Sequence, residues 1–483
     1  MKRWVMGLCA GVLLIAVSGR VFAESAEVEK HIAAVTGCLH TPVILKDDPC
    51  MALEKRMEEL HVHGVSIAVI RDGKVEWARG FGVAEVGGAK VTPETMFQAG
   101  SISKPVATMA ALKLVEKKKL SLDADVNSEL TTWKLPSAEV AKGKQVTLRE
   151  LLTHTGGTTV HGFPGYAKGE TVPTLIEVLN GEKPANTPAI RIEAEPGTKW
   201  NYSGGGFTIM QQMVVDVTKE PFPKVVHDAV LGPIGMKHST YEQPLPATMG
   251  PAAAPYNFDG TAVTGGAHTY PEMAAAGLWT TSGDLAKYVM EVQQSLAGKS
   301  NRVLTQAMTE EMLKPGMGKW GLGVEIGGED GDRYFSHGGV NAGFEALYVG
   351  YEKHGDGAVV MTNTQGGLRL ANDLMRSIAS EYGWPDFKQV IKTEVKVDPA
   401  VLAKYVGTYE LMPGFDMTVT VDGDHLVTQA TRQGKVPMFA ESETRFGTRV
   451  VDADVEFLTD ADGKATAMVL HQNGRDMKGA KKD

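Results

Sequence analysis

Apolar residues crowd the stretch VSIAVIRDGKVEWARGFGVAEV (Val65 to Val86) in two β-rich runs that meet at Asp72-Gly73, which predicts a hairpin. From Pro105 the period changes. Val106, Ala110 and Leu114 recur at i, i+4 and i+8 with Met109, Leu112 and Val115 on the same side, so a helix is predicted from just behind Lys104 to the charged turn Glu116-Lys117-Lys118-Lys119. Between Val146 and Gly298, helical runs alternate with Gly/Pro-rich loops such as THTGGTTVHGFPGY and AEPGTKWNYSGGG. Their length and aromatic content mark them as functional. Two more strand-like runs follow, Phe344 to Tyr351 and Ala358 to Asn363, and then the helix-like LRLANDLMRSIASEYG. Beyond Ile391 the pattern becomes short alternating runs. Regular turns at Asp422-Gly423, Asp462-Gly463 and Asn473-Gly474 predict a small antiparallel β barrel. A boundary near residue 390 therefore divides a larger α/β unit, 24–390, from a β domain, 391–483.

The first 23 residues stand apart from both. Lys2 and Arg3 precede an apolar run from Trp4 to Val17, and Val21-Phe22-Ala23 has the small-x-small pattern of a cleavage site, so a secretory signal ending at Ala23 is expected. The run is shorter than the roughly 20 apolar residues of a spanning helix, and no membrane association is expected once it is removed. Cleavage takes Cys9 and leaves Cys38 and Cys50, an isolated pair in an exported chain, which predicts one disulfide. The formal charge is −9 over 483 residues, more negative still without Lys2, Arg3 and Arg20, and no basic stripe interrupts it. Nucleic acid is a poor partner for such a surface.

Candidate chemistry begins at FQAGSISKPV (Phe97 to Val106), where Ser101 precedes Lys104 by three residues at a helix start. That spacing puts the hydroxyl and the amine on one face. A serine becomes a nucleophile when a neighbouring base takes its proton, and a desolvated lysine can be that base. A chain of this length contains about one such spacing by accident, with the serine a plain N-cap and the lysine a surface charge, so context has to decide. No Gly-x-Ser-x-Gly, phosphate-loop or His-Glu-x-x-His motif competes. His61 and His63 lack carboxylate or cysteine company, and neither a metal nor a cofactor is expected.

FQAGSISKPV resembles the first motif of the serine β-lactamase and penicillin-recognising hydrolase superfamily. LLTHTGG (Leu151 to Gly157), PGTKWNYSGGG (Pro196 to Gly206), AAGLWTTSGDLAKY (Ala275 to Tyr288) and FSHGGVNAGF (Phe335 to Phe344) are similar to its later landmarks and come in its order. The resemblance implies an α/β (α+β) fold: an antiparallel sheet flanked by helices with a helical subdomain. The tail from Tyr405 resembles the lipocalin-like β domain that follows many such hydrolases, a small antiparallel barrel.

The resemblance also implies roles. Ser101 is acylated, and Lys104 and Tyr202 share proton transfer, Tyr202 being suited if a nearby ammonium depresses its phenol. The N–H groups of Ser101 and Val340 form the oxyanion hole beside His337, Gly338 and Gly339. Ser203 and Gly204 complete the substrate-binding set. Two departures bear on the substrate. Gly204 stands where relatives often have asparagine, and His337 where β-lactamases usually have lysine, a stronger partner for a substrate carboxylate. The loop His161 to Tyr166 is either an ordinary surface loop or a roof over the pocket. The expectation is an exported serine hydrolase acting through an acyl-enzyme on a small-molecule or peptide substrate, a small amide or ester such as a D-amino-acid-containing peptide or a short acyl ester. A β-lactamase or D,D-carboxypeptidase is the enzymatic alternative, and a non-catalytic binder of peptidoglycan or β-lactam fragments is the alternative of another class.

Overall fold

The computed structural model describes residues 26–482 apart from 47, 330, 432, 473 and 474. The expected signal segment and the Asn473-Gly474 turn lie outside the described residues. Asp72 and Gly73 both adopt positive φ, 52° and 71°, and bring Arg71 opposite Lys74, so β1 (Gly64–Arg71) and β2 (Lys74–Gly82) form the expected hairpin. Four later strands, β3 (Glu325–Gly327), β4 (Tyr334–Asn341), β5 (Phe344–Tyr351) and β6 (Gly357–Thr362), complete a six-stranded antiparallel sheet in the order β2-β1-β6-β5-β4-β3. Seven of the eight residues of β1 are buried because helices cover both faces of the sheet. On one face lie α1 (Ala26–Gly37) and α5 (Gly367–Tyr382), whose Leu370, Leu374 and Ile378 pack with Val65, Ile67 and Trp77.

The other face carries α4 (Ser282–Leu296) and a helical subdomain built around α2 (Ser103–Glu116) and α3 (Gly204–Thr218). Eleven residues of α2 are buried, Lys104 among them, so this helix is the centre of the core rather than a surface element. The sequence placed its start behind Lys104. The structure starts it at Ser103, after a tight turn at Gly100–Ile102, because Pro105 is tolerated within a first helical turn.

The C-terminal β domain is a closed antiparallel barrel of eight strands between Gly407 and Lys482, filled by Tyr409, Val419, Leu426, Phe446, Val455 and Met468. Strand Val390–Lys392 leads into it and pairs in parallel with Val43–Leu45, which lies inside the loop closed by a Cys38–Cys50 disulfide. Phe439 of the barrel packs on Val43 and Leu45, and Arg449 forms an ion pair with Asp48. No helix among the described residues is long and apolar enough to cross a membrane.

Candidate active site

The site forms where the turn before α2 meets β4. Gly100 has φ +52°, and a Cβ there would lie 2.4 Å from the Val340 nitrogen. A Cβ on Gly339 would lie 1.9 Å from the Ala99 carbonyl oxygen, so only glycines allow this contact. Ser103 locks the turn from behind: its hydroxyl donates to the Gly100 carbonyl at 2.6 Å and accepts from the Leu278 N–H at 2.9 Å.

Lys104, 2% exposed, places its Nζ 2.9 Å from Ser101 Oγ and 2.8 Å from the accepting Ala275 carbonyl. Burial disfavours its charged form and pushes its pKa down to about 7. The Tyr202 hydroxyl faces Ser101 closely enough to interact with it, and its ring centroid lies 5.0 Å from Lys104 Nζ. Burial pushes this phenol up, only partly opposed by Ser101. The sequence argument had the phenol depressed by a neighbouring ammonium. The reverse holds because the phenol is itself desolvated, so Tyr202 stays protonated while Lys104 titrates near neutral pH.

His337 is buried, and its Nδ1 donates to the Gly338 carbonyl. Burial first, and then Lys104, hold its pKa down to about 3, so the imidazole is uncharged at neutral pH. Ser203 is not on the pocket wall. Its hydroxyl accepts from the Gly206 N–H at 3.0 Å and caps α3, and it lies 2.8 Å from the Thr158 hydroxyl. Gly204 also turns inward, and a Cβ there would meet Phe163 at 2.8 Å, so the space that an asparagine would need is occupied.

Two residues of the quoted motifs were not singled out in sequence. His154, in LLTHTGG, accepts the Ser203 N–H on Nδ1 at 3.0 Å, and its ring lies 4.2 Å from that of Tyr202. Its Nε2 is buried without a partner among the described residues, and burial holds the ring neutral. Asn341, one residue after Val340, brings an amide to the pocket and donates to Gln98 Oε1 at 2.8 Å and the Ala276 carbonyl at 3.0 Å.

These groups line a cavity of about 600 Å³. Ser101, Lys104, Tyr202, His337, Gly338 and Val340 are all on its wall, while Ser203, Gly204 and Gly339 support it from behind. His161, Gly162 and Phe163 line it too, so the loop between the motifs borders the pocket. The remaining wall includes Trp320 and Glu325. A serine beside a low-pKa lysine and a protonated phenol, facing a cavity, can carry out nucleophilic acyl transfer.

The beta-lactamase family model matches residues 52–381, and a domain of unknown function, DUF3471, matches 392–481. The chain is 20% identical over 456 residues to penicillin-binding protein 4* of Bacillus subtilis, covering 87% of this chain and 96% of the relative. It is 26% identical over 379 residues to penicillin-binding protein 4 of Amycolatopsis lactamdurans, covering 73% and 94%. Among solved structures, an octameric penicillin-binding protein homologue from Pyrococcus abyssi superposes with a TM-score of 0.62 at 23% identity, covering 88% of this chain and 98% of that one. A D-alanine carboxypeptidase AmpC from Burkholderia cenocepacia does so with a TM-score of 0.56 at 18% identity, covering 73% and 99%.

Proposed function

Because the chain belongs to the beta-lactamase family, whose members are serine hydrolases, we propose that it is an exported enzyme that cleaves small amides or esters through an acyl-serine intermediate. The observation that carries this is the 2.9 Å approach of Lys104 Nζ to Ser101 Oγ, with the lysine pushed down to about 7. Uncharged Lys104 takes the Ser101 proton as Oγ attacks the substrate carbonyl. The developing oxyanion is held by the N–H groups of Ser101 and Val340. Tyr202, kept protonated by burial, gives its proton to the leaving group and recovers one from Lys104. Water then attacks the acyl-serine and loses its proton along the same path, returning Ser101 to its hydroxyl form.

The choice of amides or esters that lack a carboxylate over β-lactams and peptides ending in D-alanine rests on His337. Those substrates carry a carboxylate, and a buried imidazole held near pKa 3 offers it no charge. Export is supported by the basic and then apolar start of the chain and by the cysteine pair. A panel of p-nitrophenyl esters, D-aminoacyl anilides and a chromogenic cephalosporin, run on wild type and Ser101→Ala, tests the reading. Turnover of esters or anilides that Ser101→Ala abolishes supports it. Cephalosporin as the best substrate contradicts the proposed preference, and no turnover of any compound favours a binding protein.

A further inference from the structure

Glu325, on the pocket wall, takes no part in this proton chemistry. Glu325 opens β3 at the edge of the sheet, where it pairs with Ser336, the residue before His337. It is the sole carboxylate among the described residues lining the cavity. Its side chain forms no hydrogen bond and no ion pair within 4.0 Å to another described residue. Lys319, on the turn before the strand, acts on it only through space. Glu325 is exposed to solvent, and the part of it that packs against the protein raises its pKa by desolvation, opposed by Lys319. A carboxylate in that position is left to interact with whatever occupies the cavity.

No group on the wall is a permanent cation. Lys104 is held to a pKa of about 7, and His337 is neutral. His161, also on the wall, lies 3.3 Å from Glu193, an acid that does not itself line the cavity. Trp320 forms a β-bridge to Glu325, and its indole also lines the cavity. An aromatic side chain beside a carboxylate that has no hydrogen-bonded or ion-paired partner among the described residues suits an ammonium group, which gains from the ring quadrupole and from the opposite charge. It would repel a substrate carboxylate.

We propose that Glu325, with Trp320 beside it, forms a subsite for a cationic group on the substrate, so that the preferred amides or esters carry an ammonium rather than a carboxylate. This rests on the acyl-serine reading of Ser101 and specifies its substrate class.

The test uses three p-nitrophenyl esters of equal length that end in trimethylammonium, tert-butyl or carboxylate. In wild type, kcat/KM should favour the cation over the neutral ester by roughly tenfold or more, and the neutral ester over the anion. Glu325→Gln should bring the cation-to-neutral ratio to within about threefold, mainly through KM, and Glu325→Asp should keep most of it. Added salt should erode the wild-type ratio. A ratio that Glu325→Gln leaves unchanged in protein whose Ser101 still takes a fluorophosphonate overturns the proposal, as does a wild-type preference for the anion. A parallel binding measurement separates the two readings. Phenyltrimethylammonium should bind wild type at least several-fold more tightly than Glu325→Gln, and equal affinity would overturn the subsite. Glu325-dependent binding without turnover of any ester would support the subsite and remove the acyl-serine reading.

Discussion

Lys104 Nζ and Ser101 Oγ stand 2.9 Å apart on a helix start that is almost wholly buried, and burial makes the lysine a base near neutral pH. The lowered pKa of this lysine is therefore a property of packing. Lys104 can be uncharged because the core around α2 withholds water from it.

The acid limb of kcat/KM should follow this lysine. Activity should rise with pH through about 7, because the uncharged amine is the active form. A limb centred near pH 5, or none at all, would transfer the role of base to another group.

The same burial carries a stability cost. The folded-state pKa of Lys104 lies below its unfolded value of 10.5, so the unfolded chain binds the extra proton between about pH 7 and 10.5. The cost is full below about 7 and fades as pH rises towards 10.5. Lys104→Met should abolish turnover while stabilising the fold by up to a few kcal/mol at pH 6, less the loss of its bond to Ala275. The gain should shrink by pH 10. Denaturant melts at the two pH values check this, and a variant less stable than wild type at pH 6 contradicts it.

His154 should matter through Tyr202. Removing its ring frees the Ser203 N–H and the face of the tyrosine, so His154→Ala should lower kcat by about ten- to a hundred-fold with a smaller change in KM. His154→Asn, which keeps an acceptor near Ser203, should recover part of kcat. Equal losses in both variants, matched by equal loss of folded protein, would make the role purely structural.

His337→Lys would put a second ammonium beside Lys104. It should move the acid limb to lower pH by about one unit and raise the ratio of cephalosporin to neutral-ester kcat/KM. A variant that is folded and labelled at Ser101, but with both quantities unchanged, would show that another feature sets the preference.

The difference between what the chain disclosed and what it withheld follows the range of the interactions. The hairpin at Asp72-Gly73 was legible because its turn chemistry is local, and Ser101 and Lys104 were legible because three residues span one helical turn. The barrel texture was legible for the same reason, from period-two runs between Gly-containing turns. The placement of β6 beside β1 required contacts across nearly three hundred residues. Ser203 looked like a substrate ligand in sequence, yet it became a helix cap because α3 begins at the very next residue. The reversal at Tyr202 depended on how deeply the phenol itself is packed, and no spacing encodes that. His154 was within a quoted motif, but its role appears only when Leu151–Gly157 packs against Trp200–Ser203. Glu325 is one of four acids shortly before the His337 motif, with Glu329, Asp330 and Asp332, and only the folded sheet edge shows which of them borders the cavity.

The central claim is that Ser101 is the nucleophile, and labelling with a fluorophosphonate followed by peptide mass spectrometry tests it most directly. The account predicts one adduct per chain, on the peptide containing Ser101, formed faster as pH rises through about 7 and absent from Ser101→Ala. An adduct on any other residue, or one that persists in folded Ser101→Ala, would contradict it.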